Sequence, residues 1–191
     1  ELQYIAPRNA RGIFGSAAPS VVRKNKGGDY SIYGDYPIFT KIATKFIYDG
    51  GRFINQADIN EERKVCVIGE RTQSELFEDN ENPVGCYIQI SGVFFQVVGV
   101  HKYIPGGGFE SDSDIFIPFT TFRKLYNNGD RVNWFALAAY DDADILAVEE
   151  KVKVAMRSKY NVHPEDERAF GSFNLGEIFK RVIGLSKGMN I

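Results

Sequence analysis

The chain has 191 residues, with 23 Lys and Arg against 25 Asp and Glu, and its net charge is −2. This length fits one large domain or two small ones, and it can bury about 70% of its unfolded surface without a metal or disulfides. The lack of a basic excess argues against DNA or RNA as the main partner. Two cysteines, Cys66 and Cys86, allow at most one bridge and exclude a four-thiolate zinc site.

No segment has the length or apolarity of a membrane span, because the longest apolar run, Trp134 to Tyr140, is far shorter than the ~20 residues required. No signal peptide pattern is present. The chain begins at Glu1, and its only methionines are Met156 and Met189. We therefore expect an excised piece of a longer protein or a processed product.

The first part of the chain predicts strands joined by loops. Leu2–Ile5 alternates as a strand does, whereas Arg8–Ser16 is rich in Gly, Ala and Asn and is predicted to be a loop. Val21–Arg23 and Tyr30–Tyr33 flank Asn25–Gly28, which predicts a hairpin turn.

The next part predicts short helices between strands. Pro37 suits the first position of a helix that would end at Gly50. Lys64–Ile68 reads as a buried strand, and Thr72 and Glu75 stand at capping-box spacing before another helix.

The clearest predicted element is a two-residue hairpin. Cys86–Ile90 and Val93–Val98 are joined by Ser91–Gly92, where glycine supplies a positive φ. A strand at Ile115–Ile117 and a short helix at Thr120–Tyr126 are predicted after it.

The last third predicts a strand at Phe135–Tyr140 and a long helix capped by Asp141 and Asp142. A short strand at Ala169–Phe173 and an amphipathic helix within Glu177–Ile191 follow. The element order predicts an α+β fold in two lobes. One is a strand-helix-strand, porter-like lobe of residues 1–34 and 130–191, and the other is an inserted strand-rich α+β lobe of residues 35–129.

No catalytic, cofactor or metal site is predicted. His101 and His163 have no partner at metal-ligand spacing, and His101 is expected to be a strand-end residue rather than a base. The sequence has no Gly-x-Ser-x-Gly elbow. Gly106–Gly108 is followed by acidic residues instead of the helix and Lys-Ser/Thr pair that a phosphate loop needs, so a loop is expected.

Glu110, Asp112 and Asp114 alternate as in a calcium loop, but positions six and twelve hold Ile115 and Thr121 instead of Gly and Glu. A solvated loop end is the expected reading. Cys66 is expected to pack as a small hydrophobic residue, and a bridge to Cys86 is possible only if their strands are neighbours.

Aromatic and apolar residues flank the glycine loop, and we predict a partner-binding site there that includes Tyr103, Ile104 and Phe109, because aromatic side chains are enriched at interfaces. The alternative is that these side chains fold back onto the core.

The order of eight short segments resembles the extracytoplasmic core domain of MacB-type ABC transporter permeases. The resemblance covers Gly34 to Thr121 most strongly. The segments are Gly51–Phe53, Asp58, Arg63–Gly69, Leu76–Phe77, Pro83–Gly85, Ile88–Gly92, Phe95–Val100 and Asp114–Thr121.

This resemblance implies a periplasmic domain of an inner-membrane protein, inserted between the first and second membrane helices of a permease, with the N-terminal part of the porter lobe truncated. It implies no enzymatic site, because the ATPase would lie on a separate domain or subunit. Expected partners are that ATP-binding subunit or domain, a second copy of the permease and a periplasmic adaptor protein. The membrane would be contacted only through flanking helices.

The implied function is mechanical: ATP-driven movement of the membrane helices would be coupled to partner or substrate handling in the periplasm. The alternative is a stand-alone secreted module that binds a peptide or lipid. A hydrolase with a carboxylate pair that the sequence does not reveal ranks last.

Overall fold

A computed structural model describes residues 1–104 and 110–176, which form strands and short helices. The strands are β1 Leu2–Arg11, β2 Ser20–Arg23, β3 Lys26–Asp29, β4 Ile32–Asp35, β5 Phe46–Ile47, β6 Val65–Gly69, β7 Tyr87–Ile90, β8 Val93–Lys102, β9 Ile115–Pro118 and β10 Trp134–Ala139. The helices are α1 Phe39–Ile42, α2 Gln56–Asn60, α3 Glu70–Leu76, α4 Phe119–Leu125 and α5 Ile145–Lys159. The predicted α+β class is therefore confirmed.

The strands join into one mixed sheet in the order β10-β1-β4-β9-β6-β8-β7-β2-β3, and β5 pairs with β8. β4 runs parallel to β9, and β6 runs parallel to β8. The pairs β1–β4, β6–β9, β7–β8, β2–β7 and β2–β3 are antiparallel.

Alternate residues of the strands, together with apolar residues in and beside the helices, form two buried apolar clusters. Burying such side chains stabilises the fold by about 1.5–3 kcal/mol for each large residue. The first cluster includes Ile32, Cys66, Ile68, Ile88, Phe95, Ile115 and Phe122. The second includes Tyr33, Ile54, Ile59, Val67, Phe116 and Phe119.

The hairpin β7–β8 forms as predicted. Ser91 and Gly92 have φ angles of 48° and 83°, so both turn residues occupy the left-handed region that a type I′ turn requires. The two strands then pair from Ile90 with Val93 back to Tyr87 with Gln96. The strands β6 and β9 and the helix α4 also confirm their predicted positions.

The loop predicted at Arg8–Ser16 is wrong over its first part, because β1 continues to Arg11. Asn9 pairs with Gly34 of β4, and its side chain accepts a hydrogen bond of 2.9 Å from the backbone of Asn133. These partners are distant in sequence, so local composition gave no sign of them.

The predicted first hairpin exists, but its turn lies at Lys24 and Asn25, where Lys24 has a φ of 51°. The helix predicted after Pro37 is much shorter than expected. It stops at Ile42, because Phe46 and Ile47 pair with the end of β8 instead of continuing the helix.

The predicted capping box at Thr72 is wrong: α3 begins after Gly69, and the Thr72 hydroxyl donates to the carbonyl of Ser113 at 2.6 Å. Asp144, not Asp141 or Asp142, caps α5 through a 3.1 Å bond from the amide of Leu146.

No strand forms at Ala169–Phe173, because Ser172 and Asn174 donate to Glu149 of α5 instead of pairing with a strand. Lys153 also donates to Glu149 at 2.7 Å, and the three bonds, that of Lys153 foremost, lower the pKa of Glu149 to about 2. The predicted C-terminal helix within 177–191 lies outside the described residues.

The chain divides into two compact units, one of Tyr4–Leu137 and one of Glu1–Gln3 with Ala138–Ile191. The two-lobe boundaries predicted from the sequence stay a prediction. Among the described residues, no helix has the length and apolarity needed to cross a membrane.

Candidate functional site

The predicted contact residues Tyr103 and Ile104 follow the last residue of β8. Tyr103 is half-buried, and Ile104 is 49% exposed. Phe46, which pairs with Lys102 across β5 and β8, is 53% exposed at the same end of the sheet. Phe109, the third predicted residue, lies outside the described residues, so the structure brings together only two of the three.

A buried arginine, Arg8, lies on β1, which β4, β9 and β6 separate from β8 in the sheet. The Arg8 guanidinium donates two hydrogen bonds to Asp35, from Nε at 2.6 Å and from Nη2 at 2.8 Å. Both side chains are almost fully removed from water, and the guanidinium lies 3.6 Å from the ring centroid of Phe39. A bidentate pair of this kind fixes the relative position of β1 and β4.

Glu110 extends this ion pair toward the predicted contact segment. Its carboxylate lies 2.9 Å from Nη2 of Arg8 and also binds the ammonium of Lys45. Burial lowers the pKa of Lys45 to about 8, while contact with the Glu110 carboxylate favours the charged amine. The residue that follows positions 105–109 is therefore held by two cations.

Asp114 holds the backbone between Glu110 and β9. It accepts hydrogen bonds from the amide and hydroxyl of Ser111 at 2.6 and 2.8 Å, and burial raises its carboxyl pKa. Nε2 of His101 donates to the Asp114 carbonyl at 2.9 Å, and burial lowers the pKa of this imidazole. His101 thus ties the end of β8 to the start of β9, as expected for a strand-end residue.

The three alternating acidic residues do not converge on a common point for a cation. Glu110 binds Arg8 and Lys45, Asp114 binds Ser111, and Asp112 lies 3.5 Å from Arg71. In residues 1–104 and 110–176, no group of three or more His, Cys, Asp or Glu is arranged to hold a metal ion.

Both cysteines are free thiols. Cys66 is fully buried in the first apolar cluster, where burial raises its thiol pKa, so it packs as the small hydrophobic residue that the sequence predicts. Cys86 is half-buried at the start of the β7–β8 hairpin.

Sequence reasoning missed Arg8, Asp35 and Lys45. The sequence predicts a loop at Arg8, and its partner Asp35 lies 27 positions further along the chain. No local pattern signals a pair at this separation. Lys45 fell inside the predicted helix after Pro37, whereas the structure places it between α1 and β5.

Comparison with known proteins identifies the family. The MacB-like periplasmic core domain model matches residues 2–155. The macrolide export ATP-binding/permease protein MacB of Syntrophobacter fumaroxidans is 29% identical over 140 residues, which are 71% of this chain and 18% of that protein. The pyoverdine export ATP-binding/permease protein PvdT of Pseudomonas entomophila is 31% identical over 113 residues, or 58% of this chain and 17% of that protein.

Two solved structures share the fold. The periplasmic region of MacB from Actinobacillus actinomycetemcomitans has a TM-score of 0.75 at 19% identity, covering 95% of this chain and 76% of that one. The extracellular domain of the transporter YknZ from Gram-positive bacteria has a TM-score of 0.71 at 12% identity, covering 85% and 79%. The chain spans less than a fifth of the length of the two export proteins. The family model covers most of the chain, and the chain therefore belongs to the family of MacB-like periplasmic core domains.

Proposed function

We propose that this periplasmic domain transmits ATP-driven movement of membrane helices to a partner or to the exported molecule. The match to the MacB-like family over residues 2–155 carries the proposal. The relatives are named ATP-binding/permease proteins, and this chain covers only a small share of each. The ATPase and the membrane helices would then lie in other parts of a longer protein or in a separate subunit.

The sheet supports a mechanical role for Tyr103 and Ile104. β8, which leads directly into them, pairs with β6, β7 and β5, so a force applied at its end is shared by three strands. On the other side of positions 105–109, Glu110 is held by Arg8 and Lys45. A contact residue transmits movement efficiently when its backbone is held rigidly.

The proposed partners are an ATP-binding domain or subunit, a second copy of the permease and a periplasmic adaptor protein. The proposed adaptor or substrate contact includes Tyr103, Ile104 and Phe109. The names of the relatives point to macrolides and pyoverdines as the first export substrates to examine.

The test compares Tyr103→Ala/Ile104→Ala with Ile5→Ala in the full-length parent protein. Ile5 is a matched control because its side chain is 53% exposed and lies on β1. We expect the double variant to keep its melting temperature and basal ATP hydrolysis but to lose export, while Ile5→Ala keeps all three. A melting temperature that falls together with export would assign Tyr103 and Ile104 to the core and contradict the contact site.

The permease assignment has a separate test in the parent gene. Apolar spans of ~20 residues on both sides of this chain are expected. A parent protein with a cleaved signal peptide and no such spans would instead favour a secreted binding module.

A further inference from the structure

A cleft opens beside α3, within the unit of Tyr4–Leu137. Its walls are the turn after β5, the first part of α3 and the segment between α3 and β7. Its volume of about 410 Å³ lies within the roughly 300–1,000 Å³ of small-molecule sites. We call it the acidic cleft, because among the described residues its walls carry three carboxylates and no lysine or arginine. The lining side chains include Tyr48, Asp49, Glu70, Gln73, Asn80 and Val84.

Backbone bonds and a turn position two of these walls. The amide of Tyr48 donates to the carbonyl of Val100 at 2.9 Å, and the amide of Gly51 donates to the carbonyl of Tyr48 at 3.1 Å. Glu70 is the first residue of α3, and Gln73 follows three positions later on the same side of that helix. The chain therefore brings an aromatic ring, a carboxylate and an amide to one cleft from segments that are separate in sequence.

One of the three carboxylates, that of Glu81, is already neutralised. It accepts hydrogen bonds of 2.5 and 3.0 Å from the Arg23 guanidinium and one of 3.2 Å from the amide of Glu78. The ammonium of Lys24 lies 3.9 Å away. Glu81 thus holds the third wall in place, and its charge has counter-ions from within the chain.

The other two carboxylates have no cationic partner within the described residues. Glu70 accepts a 2.7 Å hydrogen bond from the neutral hydroxyl of Tyr48, whose side chain is 47% exposed. Asp49 forms neither an ion pair nor a side-chain hydrogen bond in the described part of the chain, and the same holds for the amides of Gln73 and Asn80. The cleft therefore offers two uncompensated negative charges, together with amide oxygens that can accept further hydrogen bonds.

We propose that the acidic cleft binds a small organic cation with two primary amines on a short carbon chain. Each ammonium group has three N–H donors, and its hydrogen bonds to the Asp49 and Glu70 carboxylates would be charge-assisted. The ring of Tyr48 attracts a cation placed over its face. Val84 and Val100 also line the cleft and provide apolar surface for the carbon chain.

The charges of the cleft select this ligand class over others. An anion would find no basic side chain among the described lining residues. A neutral ligand would remove water from two carboxylates without supplying a counter-charge. In residues 1–104 and 110–176, no group of three or more His, Cys, Asp or Glu is arranged to hold a metal ion. A lysine side chain of a partner protein has the same ammonium chemistry, but it carries one charge against two carboxylates. Binding here is a property of this chain and does not rest on the proposed transport function.

The test is calorimetric titration of the chain with cadaverine, a linear diamine, at low ionic strength, because salt screens exposed charges. We expect saturable binding that Asp49→Asn and Glu70→Gln each weaken by about tenfold or more. Glu70→Gln keeps an oxygen for the Tyr48 hydroxyl, and Asp49 is exposed, so both variants should keep the melting temperature of the wild type. Asp29→Asn is the matched control, because it removes one exposed carboxylate on β3 outside the cleft and should leave the affinity unchanged.

Four results would overturn the proposal. The first is the absence of saturable cadaverine binding to the folded wild-type chain. The second is equal affinity in the wild type, Asp49→Asn and Glu70→Gln. The third is equally tight binding of pentane-1,5-diol, which has the same carbon chain without the charges. The fourth is binding of Nα-acetyl-lysine methylamide at least as tight as that of cadaverine, because that result assigns the cleft to a lysine side chain of a partner protein.

Discussion

Removing the charge of Arg8 tests how much the buried ion pair contributes to the fold. In Arg8→Met, a side chain of similar length keeps the contact with the Phe39 ring, but Asp35 loses both of its hydrogen bonds, of 2.6 and 2.8 Å. The Asp35 side chain is fully buried, so its charge would lose both hydrogen bonds and keep only the more distant attraction of Lys45. Breaking such a pair on one side costs about 3–5 kcal/mol, against a total stability of roughly 5–15 kcal/mol for a domain.

The double variant Arg8→Met/Asp35→Asn separates the buried charge from the lost contacts. It removes the charge of the buried Asp35 carboxylate. The ion pair between Glu110 and Lys45 is present in both variants. We expect its free energy of unfolding to exceed that of Arg8→Met by about 1 kcal/mol or more, so that it unfolds at a higher urea concentration. Fluorescence of Trp134, the single tryptophan, follows the unfolding, since its ring centroid lies 5.3 Å from the Arg8 guanidinium carbon.

A loss of less than about 1 kcal/mol in the free energy of unfolding of Arg8→Met would contradict this prediction, because a buried carboxylate without its partner destabilises a fold by more than that. A double variant that is less stable than Arg8→Met by the full destabilisation of Asp35→Asn alone would contradict it as well. That result would show that the two side chains act independently.

Three further predictions concern packing, thiol access and pH. Gly34→Ala should lose about 1–3 kcal/mol in urea unfolding, because its Cβ would lie 2.5 Å from the Cβ of Phe122; an unchanged midpoint would contradict this packing. A thiol reagent should label Cys86 in the native chain and reach Cys66 only in denaturant, whereas rapid labelling of both would contradict its burial. The stability that Glu149 adds should be present above pH 4.5 and disappear as the pH falls to about 2, so Glu149→Gln and wild type should differ in urea unfolding at neutral pH and converge near pH 2.

Local patterns predicted the elements whose signals are local. The type I′ turn at Ser91–Gly92 and the buried strand at Val65–Gly69 carry their information in a few adjacent residues. The length of β1 cannot be predicted from adjacent residues, because Asn9 is held in the strand conformation by Gly34 and Asn133. The same holds for β5, where the backbone of Phe46 pairs with Lys102 of β8.

Some residues of the candidate site can also be predicted from local sequence, and others cannot. Tyr103 and Ile104 could be chosen from sequence because apolar residues beside a glycine loop are a local signal. The ions that hold Glu110 could not, because Arg8 and Lys45 come from two other segments and meet only in the folded sheet.

The strand order has a consequence for the time at which this domain can fold. The middle of the sheet joins β4 to β9 and β9 to β6, so Ile32 must find Ile115, and Ile68 must find the same residue from the other side. The chain loses conformational entropy when the segments between these paired residues are closed into loops, before strand pairing stabilises the sheet. Topologies with such distant pairings fold slowly. A chain emerging from N- to C-terminus therefore cannot complete its central strands until Pro118 has been delivered, and until then β4 and β6 present unpaired edges to whatever surrounds them.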